Sequence, residues 1–154
     1  MRADARDAAL APEQAAAASA GHKAMMPLAG RPFLDYVLHS LAGAGFTDIG
    51  IIFAPEHDDA RAYYRALPAS RIRITLLTQT EARGTADALL AGEAWAAGEA
   101  FIALNGDNLY PADVLARLRD AKGPAVPGFL RDSLSLPLDR VGAFALIEAD
   151  ARGC

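Results

Sequence analysis

The sequence predicts an α/β fold with a mostly parallel sheet, and three observations predict it. Short apolar runs of strand length alternate with longer stretches whose large apolar residues recur at helical spacing. Glycine and proline punctuate the junctions between them. The chain, at 154 residues, is long enough for one domain with a real core.

Each element follows from its pattern. Pro32 suits a first helical turn, and Phe33, Tyr36, Val37, Leu38 and Leu41 then recur on one face until Gly43 and Gly45 end the helix. Asp48 to Ala54, DIGIIFA, reads as a strand apolar on both faces. Residues 56–67 read as a helix carrying Tyr63, Tyr64 and Leu67, and 71–78, RIRITLLT, as a second strand. Thr85 to Ala97 reads as one long helix with Leu89, Leu90 and Trp95. A strand is expected at 100–105, a helix from Pro111 with Val114, Leu115 and Leu118 inward, and further strands near 124–130 and at 141–148. Alternation of this kind implies parallel strands joined by right-handed helical crossovers.

Residues 1–20 stand apart. They are rich in alanine, with only Met1 and Leu10 as large apolar residues, and are expected to be a poorly ordered or helical arm ahead of a domain over 21–154. Asp4, Asp7, Pro12, Glu13 and Gln14 interrupt any signal-peptide core.

Bulk numbers narrow the function. Hydrophobic residues make up 53%, much of it alanine, and the net charge is -4. That balance argues against a nucleic-acid surface, which would need a basic stripe. No apolar run of about 18 residues is present, so no membrane span is expected. The single cysteine, Cys154, leaves no disulfide within one chain, which fits a reducing, cytoplasmic setting. His22, His39 and His57 are not spaced as a metal set.

Three stretches could carry chemistry. In the first, residues 21–32, Lys23 sits in a loop ahead of a helix, where it can meet phosphate as a point charge; an ordinary solvated lysine is the plainer alternative. In the second, residues 79–88, a strand ends and Gly84-Thr85 opens a helix. Glycine admits close backbone approach, free N–H groups at the helix start favour acceptors, and the Gln79 amide can pair with a nucleobase. A capped βα loop with Thr85 as N-cap would look the same. The third is FIALNGDNLY, residues 101–110. Asn105-Gly106 is a hairpin signal, but Pro111 opens a helix and no matching strand follows, so Asp107 belongs at the carboxyl end of a sheet strand. One carboxylate there can hold Mg²⁺ while substrate phosphates complete its octahedron; a local turn around Asp107 is the alternative.

Taken in order, KAMMPLAGRPFLDYVL, QTEARGTADALLAGE and FIALNGDNLYP resemble the sugar-1-phosphate nucleotidylyltransferases, the nucleoside-diphosphate-sugar pyrophosphorylases, over about residues 21–150. The resemblance implies a Rossmann-like, GT-A-like nucleotidyltransferase fold of three α/β/α layers. It implies transfer of a nucleoside monophosphate from a nucleoside triphosphate to a sugar 1-phosphate, with release of pyrophosphate and with Mg²⁺ as cofactor. Position by position, it makes Lys23 the phosphate-neutralising catalytic lysine. Gln79, Gly84, Thr85 and Gly106 become nucleotide-binding, Asp107 the Mg²⁺ ligand, and Gly142 the sugar-contacting glycine.

The family pattern also has parts that these 154 residues lack. A strand and a GxGTRM-like triphosphate loop would precede Lys23, and a second metal-binding aspartate would follow Glu148. The sequence therefore reads as an incomplete domain whose first central strand, between 48–54 and 100–105, is missing. Low stability, self-association or both are expected of it, with impaired activity. Transfer to another phosphate acceptor, such as phosphocholine or a cofactor precursor, and a non-catalytic nucleotide-binding module are the alternatives.

Overall fold

The computed structural model describes residues 10–19, 23–68, 71–134, 137–142, 144–145 and 147–148. The chain divides into two compact units, residues 1–120 and 121–154.

Among the described residues, the first element of the first unit is a helix of alanine-rich sequence, α1 (Pro12–Ser19). Gln14 ties it down by donating from its side-chain amide to the Pro27 carbonyl at 2.9 Å. A 3₁₀ turn, Lys23–Met25, leads into a two-residue hairpin, β1 (Pro27–Leu28) and β2 (Arg31–Pro32). Ala29 and Gly30 both have positive φ at its tip, the mirror-image geometry that tight hairpins need. The sequence reading treated this stretch only as loop.

α2 (Phe33–Gly43) buries Leu34, Val37, Leu38 and Leu41, the stripe its spacing dictates. Pro32 is its N-cap, one residue before the first turn. Gly45, at φ 87°, lets the chain reverse into β3 (Asp48–Phe53). α3 (Asp58–Ala66) and β4 (Arg73–Thr78) follow, and β4 pairs with β3 in parallel from Asp48 opposite Arg73 to Phe53 opposite Thr78. This is the parallel pair with helical crossover that the alternation demands.

Two helical layers cover the pair. Ile49, Ile51 and Phe53 face α2 and α3 and join their core, with Leu115 of α6 (Ala112–Arg119) the most deeply buried side chain at 1% exposure. On the other face, Trp95 packs against Gly50, where a Cβ would come within 3.1 Å of the indole, and Ile52 approaches Gly92. The result is a three-layer α/β/α arrangement on a small sheet.

Three expectations are corrected. The single helix over 85–97 is instead α4 (Thr85–Leu90) and α5 (Glu93–Ala96), broken at Ala91-Gly92, because glycine holds a helix weakly. Residues 100–105 have no ladder partner among the described residues and so are not a paired strand, although the chain leaves them at Asn105 as expected. No strand forms at 124–130, where Pro124 and Pro127 remove ladder donors. At 141–148 the described residues form none either; Val141 instead ends α7 (Leu138–Val141).

Candidate functional site

The carboxyl end of the β3–β4 pair is built by side chains far apart in sequence. Tyr63 donates to Asp35 Oδ2 at 2.7 Å and Tyr64 to Asp35 Oδ1 at 3.0 Å, so α3 is clamped to the first turn of α2. Arg31 approaches the same carboxylate at 3.7 Å from the hairpin. Burial first, then the Asp35 charge and hydrogen bond, push the Tyr64 hydroxyl far above the ordinary tyrosine value; burial and then the hydrogen bond to Asp35 raise Tyr63 too. Arg61, only 7% exposed, donates to the Phe53 carbonyl at 3.1 Å and lies 5.6 Å over the Phe53 ring. It thereby ties α3 to the last residue of β3.

Against this frame sit the candidate residues. Gly106 lies in a turn over 105–108 closed by the Asn108 N–H on the Asn105 carbonyl at 3.2 Å. A Cβ at Gly106 would stand 3.3 Å from Ala24 Cβ and 3.6 Å from Leu34 Cδ1. The missing side chain thus lets the Asp107 turn lie directly on the Lys23 turn. Lys23 and Asp107 themselves are exposed.

The 79–87 loop is held from within. Gln79 donates from one amide nitrogen to the Gly84 carbonyl at 3.1 Å and to Asp87 Oδ2 at 2.9 Å. Its donors are therefore committed to the loop, and its carbonyl oxygen is what remains for a ligand. Gly84 has φ 101° and ψ -177°, a conformation close to exclusive to glycine. Gly84, rather than Thr85, is the N-cap of α4, and no side chain caps that end.

One cavity of about 1370 Å³ is lined by Lys23, Gln79, Gly84, Thr85, Gly106 and Asp107 together. His57 also lines it. Six of the seven residues singled out in the sequence are thus brought to one cavity. Gly142 is exposed and lies in the second unit, after α7, outside that cavity's lining. His22, in the first sequence cluster, lies outside the described residues. Among the described residues no group of three or more histidine, cysteine, aspartate or glutamate side chains could hold a metal by itself. Sequence reasoning missed Arg61 and the Asp35–Tyr63–Tyr64 clamp. Their partners are eight residues away and 28 or 29 residues away, and no local pattern announces either.

In open parallel α/β sheets the ligand crevice lies outside the carboxyl ends of the strands, and the cavity lies at that end of the β3–β4 pair through Phe53 and Gln79. A family model, the MobA-like NTP transferase domain, matches residues 16–131. The chain belongs to that family, which bears out the resemblance carried by the three motifs. Among curated proteins it is similar to Bifunctional protein GlmU of Sinorhizobium fredii, 36% identical over 76 residues, covering 49% of this chain and 16% of that protein. Glucose-1-phosphate thymidylyltransferase of Streptomyces antibioticus is 30% identical over 109 residues, covering 67% of this chain and 30% of that protein. Bifunctional protein GlmU of Sinorhizobium medicae is 35% identical over 105 residues, covering 66% of this chain and 22% of that protein. The chain thus spans less than a third of the length of each of these relatives. No solved structure matches. Among the described residues, no helix is long and apolar enough to cross a membrane.

Proposed function

We propose that this chain acts in nucleotidyl transfer, moving a nucleoside monophosphate from a nucleoside triphosphate to a sugar 1-phosphate. The observation that carries the reading is the single cavity lined by Lys23, Gln79, Gly84, Thr85, Gly106 and Asp107. The glucose-1-phosphate thymidylyltransferase among its relatives makes a thymidylyl donor and a hexose 1-phosphate the first pair to try.

In this reading a phosphate oxygen of the sugar 1-phosphate forms a new bond to the α-phosphorus. The bond from that phosphorus to the bridging oxygen breaks, and pyrophosphate leaves with the electron pair. No side chain need move a proton; the work is positioning and charge neutralisation. Lys23 supplies a positive charge to the phosphates. Gly84 and Thr85 offer backbone N–H groups, and the Gln79 carbonyl oxygen accepts from an N–H of the base. Asp107 fits magnesium as a single exposed carboxylate, a donor set suited to an ion held chiefly by substrate phosphates. When bound, that ion would neutralise charge on the triphosphate.

The test is pyrophosphate release, followed by phosphorus NMR, over a panel of nucleoside triphosphates and sugar 1-phosphates with Mg²⁺. Pyrophosphate formed only when both substrates are present supports transfer. Release with the triphosphate alone, or with phosphocholine in place of the sugar phosphate, would move the reading to hydrolysis or to another acceptor.

A further inference from the structure

Asp87 lies in the first turn of α4 and outside the lining of the cavity, yet it grips a side chain that does line it. That side chain, Gln79, is anchored at both ends. Its backbone N–H donates at 2.9 Å to the Phe53 carbonyl, the same oxygen that Arg61 reaches from α3. Its side-chain Nε2 donates to the Gly84 carbonyl at 3.1 Å and to Asp87 Oδ2 at 2.9 Å. A backbone carbonyl and a carboxylate are both acceptors only. Turning the amide over would set Oε1 against two oxygens and forfeit both bonds, one of them charge-assisted. The nitrogen therefore faces the loop. Oε1, on the other branch of the amide, accepts no hydrogen bond among the described residues.

We propose, building on the nucleotidyl-transfer reading, that Asp87 is a positioning residue for base selection. By taking a bond from Gln79 Nε2 it leaves Oε1 as the group this side chain offers a nucleotide. An oxygen that can only accept selects a base edge carrying an N–H and disfavours one that meets it with a methyl group or a lone pair. An amide free to turn over would serve either edge, because its nitrogen can donate. The Gly84 carbonyl holds the amide less firmly, since it is shared with the Ala88 N–H at 3.1 Å. The carboxylate brings both charge and the shorter bond. Asp87 does not touch the ligand in this arrangement; it acts through Gln79. The other role open to an acid in a first helical turn, favourable placement at the helix start, depends on its charge alone.

Calorimetric titration with Mg²⁺ present tests it on the full parent chain, Asp87→Asn and Asp87→Ala. The probes are thymidine and guanosine triphosphates beside their N3-methyl and N1-methyl forms. Adenosine and cytidine triphosphates are taken beside forms dimethylated at the exocyclic amine. The natural triphosphate that binds the parent most tightly fixes which pair is compared. The parent is expected to prefer the unmethylated member about tenfold or more. Asp87→Asn keeps an acceptor oxygen and loses the charge, and is expected to hold that ratio within about twofold. Asp87→Ala is expected to lower the ratio about fivefold or more. The bulk of the methyl groups is the same for all three chains, so a change in the ratio reports the orientation of the amide. No preference in the parent would overturn Gln79 Oε1 as the reader, and the role of Asp87 with it, while nucleotide binding stands. An equal fall in both variants, or a fall in neither, would overturn the positioning role and leave Asp87 an ordinary first-turn acid. Absence of binding by every triphosphate would overturn the nucleotide reading itself, and this role with it.

Discussion

Two regions of the first unit are built on different principles. The corner formed by α2, β3, α3 and α6 is a packed core: Leu34, Val37, Leu38, Ile51, Phe53, Tyr64 and Leu115 are all buried. The stretch from Gln79 to Asp107 is largely exposed, with Leu90 at 66% and Phe101 at 58% exposure. Yet the second stretch contributes Gln79, Gly84, Thr85, Gly106 and Asp107 to the cavity. Stability and chemistry are thus divided between them. In the proposed function the corner would position the site through backbone ends and turn contacts, and the exposed stretch would present the groups that meet a ligand. The two meet at Gly106, whose lack of a side chain seats the Asp107 turn on Ala24 and Leu34.

That division predicts separable effects of substitution. The largest belongs to the corner. Leu115→Ala is expected to cost about 2–5 kcal/mol of unfolding free energy, read by denaturant titration, because it opens a cavity in the tightest part of the core. Asp107→Asn is expected to do the reverse. Pyrophosphate release should fall about a hundredfold or more while the denaturation midpoint stays within error of the parent. A matching loss of stability would break the division. Gly84→Ala should cost about 1–3 kcal/mol locally, since alanine resists φ 101° and ψ -177°. Space is not the cause, for nothing lies within 4 Å of the added Cβ. Nucleotide binding should weaken about tenfold or more by calorimetry, with global stability changed less.

The smallest effect sharpens the corner. Tyr63 and Tyr64 are held neutral in the fold, with raised values caused first by burial and then by Asp35. Tyrosines of the unfolded chain ionise near pH 10, so the fold then binds the protons that the unfolded chain releases. Stability from this pair is complete below about pH 10 and is lost as pH rises beyond it. Tyr64→Phe should cost about 0.5–1.5 kcal/mol at neutral pH and flatten the alkaline decline, measured by thermal melts across pH 8 to 11.

Legibility in the sequence follows the same line. α2, β3, α3, β4 and α6 were readable within a residue or two, because each carries a strong apolar period that local sequence dictates. The strands expected at 124–130 and 141–148 were not there. An apolar run reads as a strand only if a neighbour pairs with it, and Pro124 and Pro127 weaken that pairing. Residues 100–105 make the point more sharply: FIALN has strand composition and finds no ladder partner among the described residues. Lys23, Gln79, Gly84 and Asp107 were singled out by the motifs, and the fold brings them to one cavity. Arg61 was not, since an arginine in a helix reads as solvated until the fold places it over Phe53. Nor did composition reveal that the Gln79 amide donors would be spent on Gly84 and Asp87.

The most direct measurement on the site is calorimetric titration of a nucleoside triphosphate into the parent chain and Asp107→Asn, each with and without Mg²⁺. If Asp107 joins the nucleotide through the ion, Mg²⁺ should tighten binding about tenfold or more in the parent and leave the variant near its metal-free affinity. Equal affinity of the two chains in the presence of Mg²⁺ would contradict that role and leave the cavity a nucleotide site without a metal.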